Sequence, residues 1–281
     1  MSNIRAGIVA REGETRMKYY SIAIDGPSGA GKSTLARAIA EKFGYLYVDT
    51  GAIYRTVGLA ALRAGIDPKD AGAVTALLPG IRVELSHADD GLQHMYLNGE
   101  DVTEQIRTPE VSLAASAVAA HKAVRAYLLD TQRGLAREHN VVMDGRDIGT
   151  VVLPDADVKI FLTARAQERA WRRTLELAKR GTPKPYEEVL AEMERRDRDD
   201  ATRETAPLTQ ALDALPLDNS QLTFQETVEA LEQIVRLRTG MDEPPEDESD
   251  GPENGTDGPE EARTGTDEPH TGTDNPETTG E

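Results

Sequence analysis

The stretch IDGPSGAGKST, residues 24–34, contains Gly26-x-x-x-x-Gly31-Lys32-Ser33, the spacing of a phosphate-binding loop. Glycines let the backbone curl until successive N–H groups point inward at phosphate oxygens. A helix that follows adds the positive end of its dipole. On this pattern Gly26, Pro27, Ser28, Gly29, Ala30, Gly31, Lys32, Ser33 and Thr34 form a nucleoside triphosphate cradle. Lys32 reaches the β- and γ-phosphates, and Ser33 offers its hydroxyl to Mg2+. The loop fixes a phosphate donor and leaves the reaction open, since kinases, GTPase switches, ATPase motors and plain nucleotide-binding modules all carry it. No Asn-Lys-x-Asp occurs to read guanine, and motors need a larger body or a ring partner.

Other segments concentrate charge where strands are expected to end. VDTGAIYR (48–55) sets Asp49 and Thr50 at a strand end, with Tyr54 and Arg55 one turn into a helix. Arg55 suits bidentate contact with an anion docked there, and Tyr54 suits packing on a planar group. The segment also fits an ordinary helix start, with Thr50 as cap and Arg55 in solvent. MDGRDIGT (143–150) interrupts an apolar strand with three charges in four residues. Asp144 resembles the acid after a hydrophobic strand that serves Mg2+, or a structural turn aspartate, while Arg146 and Asp147 face the acceptor. In ERRDRDDATR (194–203), Arg196, Asp200 and Arg203 share one helical face at i, i+4, i+7. That stripe is either a solvated, salt-bridged surface or a grip on ribose and phosphates. ERAWRRTLELAKRG (168–181) adds Arg169, Arg172 and Arg173, suited to a lid that excludes water during phosphoryl transfer.

These residues need a frame. YSIAID (20–25) predicts a buried parallel strand, and 33–43 a helix closed by Gly44. YLYVDT (45–50) predicts a second strand and 52–65 a second helix. IRVEL (81–85) and HMYLNGE (94–100), joined by the polar turn SHADDG, predict an inserted hairpin. Pro109 opens a single long Ala-rich helix over about 110–137. VVMDGRD (141–147) and VKIFLTA (158–164) predict core strands, 165–180 and 186–203 charged helices, and LPLDN (215–219) a final strand. The amphipathic 223–238 closes the domain, with Thr223 and Glu226 spaced as a capping box. The order implies an α/β fold with a mostly parallel sheet wrapped by helices and ligand at the strand C-terminal ends.

Charge sharpens the division. The 281 residues carry a net charge of −18, yet residues 241–281 hold 15 Asp/Glu and one basic residue, Arg263. The remaining 240 residues have 35 acids and 31 bases. The acidic segment contains no Leu, Ile, Val, Phe, Tyr or Trp, so it is expected to be a disordered tail, either for interaction or solubility or a drifting appendage without a role, with no nucleic-acid partner. Residues 1–18 are expected to be a flexible extension without a secretory apolar region. No apolar run reaches the length of a membrane span. The chain has no cysteine, which fits a reducing, cytoplasmic location.

IAIDGPSGAGKSTLA, DTGAIYR, QIRTPEV, DGRDIGTVVLPDADVKIFL and ERRDRDDATRETAPL, in this order over about 20–238, resemble the bacterial cytidylate kinases. The resemblance implies a P-loop NTPase fold in a kinase domain spanning 19–238. It implies an NMP-binding insert over about 52–137 that contains β-structure, and a helical lid over about 168–185. It implies ATP and Mg2+ as donor, CMP or dCMP as acceptor, and a monomer with no nucleic-acid or membrane partner. By position it places Ser116, Arg125 and Asp147 on the base, with Arg203 nearby. Arg55 and Arg146 fall on the acceptor phosphate, Arg196 and Asp200 on the ribose, and Thr50 and Tyr54 in the same pocket. Lys32, Arg146, Arg169 and Arg173 are the expected catalytic cations, with Ser33 and Asp144 at the metal. Thr50 stands where many relatives have Ser, a change that bears on dCMP preference. Other small acceptors (UMP, AMP, shikimate) or a non-catalytic nucleotide-binding module are the alternatives.

Overall fold

The computed structural model describes residues 7–8, 17–87 and 92–240. The chain divides into two units at residue 242. The expected acidic tail and most of the N-terminal extension lie outside the described residues, as does the tip of the expected turn at 88–91. Within the extension, β1 (Gly7–Ile8) and β2 (Met17–Lys18) pair antiparallel.

The first unit is built on a five-stranded parallel sheet. It comprises β3 (Ser21–Asp25), β4 (Leu46–Asp49), β8 (Val141–Gly145), β9 (Val158–Thr163) and β10 (Leu215–Asp218), in the order β10-β9-β3-β8-β4. Both faces are covered at the centre of the sheet, so Ile22 to Ile24 of β3 and Val141 to Met143 of β8 are buried apolar runs. Ile22, Ile24, Val142, Ile160 and Leu162 pack on one side with Leu35, Ile39 and Leu231, from α1 (Lys32–Phe43) and α8 (Phe224–Thr239). Ala23, Val48, Val141 and Met143 face the other side with Ile53, Val57, Val111 and Leu128. These come from α2 (Thr50–Arg63), α4 (Pro109–Val118) and α5 (Lys122–Glu138). Thr223 and Glu226 form the capping box the sequence predicts.

Three elements differ from expectation. The long helix is broken into α4 and α5, with His121 extended between them. No Gly or Pro marks the break. It is held from outside, where the His121 ring contacts the Pro68 carbonyl at 2.9 Å and Arg125 donates to the Ala119 carbonyl at 3.3 Å. The insert, which follows the short helix α3 (Ala71–Leu77), is a three-stranded antiparallel sheet. Its strands are β5 (Val83–His87), β6 (Gln93–Leu97) and β7 (Glu100–Asp101). Asn98 and Gly99, with φ of 53° and 85°, turn the chain within the segment read as one strand. Helix α2 begins at Thr50 because the Asp49 carboxylate accepts from the Ala52 N–H at 2.9 Å, so Asp49 is the cap in place of Thr50.

The charged region forms a hairpin of α6 (Ala166–Lys179) and α7 (Tyr186–Thr202) around a small core of Ala170, Leu177, Val189 and Met193. This hairpin rests against the glycine loop. A Cβ on Gly29 would lie 2.5 Å from the Met193 methyl, and one on Gly26 would lie 2.0 Å from the Leu162 carbonyl oxygen. At Gly26 the Leu162 backbone leaves no room for a side chain, while at Gly29 the Met193 methyl can move and it is the φ of 74° that favours glycine.

Candidate active site

The loop Gly26–Gly31 leads straight from β3 into α1. Gly31 gives this helix no side-chain cap, and its first turn holds no acid, so the helix start stays electropositive. Lys32 is 5% exposed and donates to the Pro27 carbonyl at 2.8 Å. Burial and the nearby Arg146 lower its pKa to about 7, against the pull of Asp144 and Asp25. The Ser33 hydroxyl donates to Asp144 at 2.9 Å, and the Tyr47 hydroxyl donates to its other oxygen at 2.9 Å. Burial and the neighbouring Asp49 raise the Asp144 carboxyl to about 6.

Two arginines of α6 brace the loop. Arg169, 5% exposed, donates to the Ala164 carbonyl at 2.8 Å and the Ser28 carbonyl at 2.9 Å, and pairs with Asp197 at 2.7 Å. Arg172 donates to the Asn219 side chain and carbonyl, and Asn219 donates to the Ala30 carbonyl at 3.0 Å. Arg173 pairs with Glu176 at 2.7 Å. Of the expected lid arginines, Arg169 is therefore committed to holding the loop, and Arg173 is the more open.

Opposite the loop lies a second group, drawn from α2, α4, α5, the β8 end and α7. Arg125 pairs with Asp147 and lies over the Tyr54 ring, 5.4 Å from its centroid. Arg203 approaches Asp147 at 3.7 Å and Asp200 at 4.0 Å, and donates to the Ala206 carbonyl at 2.6 Å. Arg146 pairs with Asp200 at 2.8 Å. Burial alone would raise Asp200, but Arg146 and Arg196 hold it below the ordinary carboxylate range. Arg55 pairs with Asp49 at 2.8 Å. Burial works against that carboxylate too, and the Arg55 pair keeps it low. Ser116 is half-buried on α4. The Thr50 hydroxyl donates to the Asp144 carbonyl at 2.7 Å.

The ions do not all cancel. The Nε atoms of Arg196 and Arg55 are buried without hydrogen-bond partners. Burial, then repulsion from Arg146, Arg55 and Arg173, lowers the Arg196 pKa to about 10 even though Asp200 is near. Arg196 therefore feels the charge of Arg55, Arg146 and Arg173, and Lys32 that of Arg146 and Arg196, and this group of cations includes two buried, unpaired donors. The helical stripe turns inward as a set, with Asp200 buried and Arg196 and Arg203 half-buried, against the reading of a solvated surface; the neighbouring Arg195 and Arg198 are exposed.

Sequence reasoning missed four residues that organise the site. Asp25 accepts from the Ile148 and Gly149 N–H groups, both at 2.8 Å, which ties the donor loop's strand to the π-helical turn Ile148–Val152. Its position just before Gly26 was the only available signal. Tyr47 and Asp197 hold Asp144 and Arg169 in turn, and Gln93 reaches Asp49 from the insert. Nothing in their local sequence marks them, because each acts on a residue distant along the chain.

A phosphate loop between a parallel strand and a helix, with a cluster of sheltered, ion-paired arginines beside it, fits a P-loop kinase. The cytidylate kinase family model matches residues 22–237, and the chain belongs to that family, whose members are nucleoside monophosphate kinases. The cytidylate kinase of Geobacter sulfurreducens (strain ATCC 51573 / DSM 12127 / PCA) is 48% identical over 77% of this chain and 93% of its own length. The cytidylate kinase of Citrifermentans bemidjiense is 49% identical, with the same two coverages. A bifunctional pantoate ligase/cytidylate kinase from Synechococcus sp. (strain WH7803) is 50% identical over 81% of this chain but only 48% of that protein, so the likeness is confined to one part of it. Among solved structures, a gluconokinase from Sinorhizobium meliloti 1021 aligns at 18% identity over 79% of this chain and 95% of that one. Its TM-score is 0.40, too low to add to the topology described above. Among the described residues no helix is long and apolar enough to cross a membrane.

Proposed function

We propose that this nucleoside monophosphate kinase moves the γ-phosphoryl group of ATP to CMP or dCMP with the residues assembled above in specific roles. The loop amides and Lys32 hold the donor phosphates. Arg55 and Arg146 receive the acceptor phosphate, and Asp200 is oriented toward the ribose. Arg196, expected beside Asp200 on the ribose, is assigned to the phosphate instead, because its Nε is buried unpaired and Arg146 and Arg55 repel it. Arg125, Asp147, Arg203 and Ser116 read the base, and Tyr54 backs the Arg125 guanidinium. Cytosine offers an amino donor for a carboxylate, and a carbonyl with a ring nitrogen for an arginine. No general base is needed, because the acceptor phosphate is already anionic. Catalysis is then positioning plus electrostatic stabilisation by Lys32, Arg146 and Arg173.

Ser33 and Asp144 suit Mg2+. Their oxygens lie 2.9 Å apart, and hard oxygen donors match this ion. Among the described residues no cluster of three or more acidic or histidine ligands occurs. That fits an ion held by one or two protein oxygens and the nucleotide's own phosphates. Held by Ser33 and Asp144, the ion would supply neutralisation of phosphate charge. Thr50 keeps its hydroxyl oxygen as an acceptor while donating to Asp144. One chain supplies both half-sites, which supports action as a monomer, and the family resemblance supports a cytoplasmic location.

The observation that carries this reading is the buried Nε of Arg196, without a hydrogen-bond partner and repelled by Arg146, a combination that an anion would relieve. Arg196→Met should leave thermal stability unchanged or raised, because it removes a repelled buried cation, while weakening CMP binding by tenfold or more. A loss of stability with CMP binding intact would overturn the assignment.

A further inference from the structure

We infer that Gln93, on the insert, is a positioning residue for the acceptor phosphate, acting through Asp49 and Arg55. The inference rests on the role given to Arg55 above. Strand β4 is the edge of the parallel sheet, so the outer side of its backbone has no strand to bond. The insert supplies partners from side chains. Gln93, 8% exposed, accepts from the Asp49 N–H at 2.8 Å and donates to the Asp49 carbonyl at 3.2 Å. Its amide thus grips both polar groups of Asp49 as a neighbouring strand would. One step back along β4, the His87 ring contacts the Tyr47 carbonyl at 2.6 Å.

The two ties differ in what lies beyond them. Asp49 is both helix cap and ion-pair partner, since one carboxylate oxygen takes the Ala52 N–H at 2.9 Å and the other takes Arg55 at 2.8 Å. Fixing the Asp49 peptide fixes that carboxylate, and the carboxylate aims the guanidinium. Arg55 in turn carries a buried Nε without a partner and repels Arg196, and among the described residues Asp49 is its one ion-pair partner, so that carboxylate sets its direction. Tyr47 carries no such relay to an arginine of the phosphate cluster. Gln93 therefore couples the insert's placement to acceptor affinity, and His87 only anchors the insert.

The test is Gln93→Met, which keeps length and loses both hydrogen bonds, with His87→Leu as the anchoring control. CMP binding is measured by calorimetry, KM for both substrates by steady-state kinetics, and folding by thermal melts, in wild-type and Arg55→Ala backgrounds. Gln93→Met should weaken CMP binding about fivefold and leave KM for ATP unchanged. It should have no further effect once Arg55 is Ala, and His87→Leu should leave CMP affinity unchanged. Equal weakening in both backgrounds, a matching effect of His87→Leu, or equal rises in both KM values would overturn the inference. If Arg55→Ala alone leaves CMP binding unchanged, the Arg55 role itself falls, and the inference with it. Gln93→Met without effect beside an impaired Arg55→Ala would remove only the inference.

Discussion

The donor and acceptor halves of this site are built from different materials. The donor half is mostly backbone: one continuous loop, shaped by glycines, with its cations turned back on the loop's own carbonyls. The acceptor half is side chains from five separate elements, joined as the pairs Arg125–Asp147, Arg146–Asp200 and Arg55–Asp49, with positive charge left over. A backbone cradle keeps its shape when a single side chain is lost. A network of buried pairs does not, because each residue is the condition for its neighbour's burial.

That contrast can be broken first at Lys32. Lys32→Ala should cut phosphoryl transfer by about a thousandfold, a loss typical of removing one preorganised charge-stabilising donor. It should not lower thermal stability, since the lysine is buried at a cost. A coupled assay and a melting curve check both halves of that statement, and intact transfer would refute the loop assignment.

On the acceptor side the expected effect is on folding as well. Arg125→Met strands Asp147, which is 4% exposed, and should destabilise the protein by about 3–5 kcal/mol. Adding Asp147→Leu should restore much of that stability while selectivity for CMP over UMP stays lost. Chemical denaturation of the two variants measures the coupling, and strict additivity would show that the pair is not a unit.

The smallest effect expected is at the seam between the halves. Burial, opposed by the two amides it accepts from, raises the Asp25 carboxyl to about 6. The unfolded chain ionises near the ordinary value of about 4. The folded state therefore takes up a proton first as pH falls from 7, and stability gains from this group down to about pH 4. Asp25→Asn lacks that titration. The wild type should accordingly gain on the variant by up to about 2 kcal/mol between pH 7 and pH 4, read from paired melts. A constant gap would contradict it.

The same contrast explains what the sequence disclosed. The glycine loop was legible because its geometry lies in consecutive residues, and the parallel sheet because its central strands are buried apolar runs. Arg55, Arg146, Asp147, Arg196, Asp200 and Arg203 were visible as charges at strand ends or striping a helix, whereas Arg125 came only from the family resemblance, and the pairings were not visible: Arg125 and Asp147 are 22 positions apart, Arg146 and Asp200 54. Ser116 carried no local signal and came only from the family resemblance. Arg169 looked like a free lid arginine, yet its surroundings bury it against Ser28 and Asp197. The break between α4 and α5 is enforced by Pro68 and Arg125 on an Ala-rich stretch with good helix propensity, so tertiary contacts overrode it. Gln93 lay just before the strand expected at 94–100 and carried no signal, since only the edge of β4 gives its amide work to do.

Turnover with CMP, dCMP, UMP and AMP at equal concentrations, with ATP and Mg2+, tests the central claim most directly. The account predicts rapid transfer to CMP and dCMP and far slower transfer to UMP and AMP, because Arg125 and Asp147 are set to meet the cytosine edge. Equal rates with CMP and UMP would contradict it.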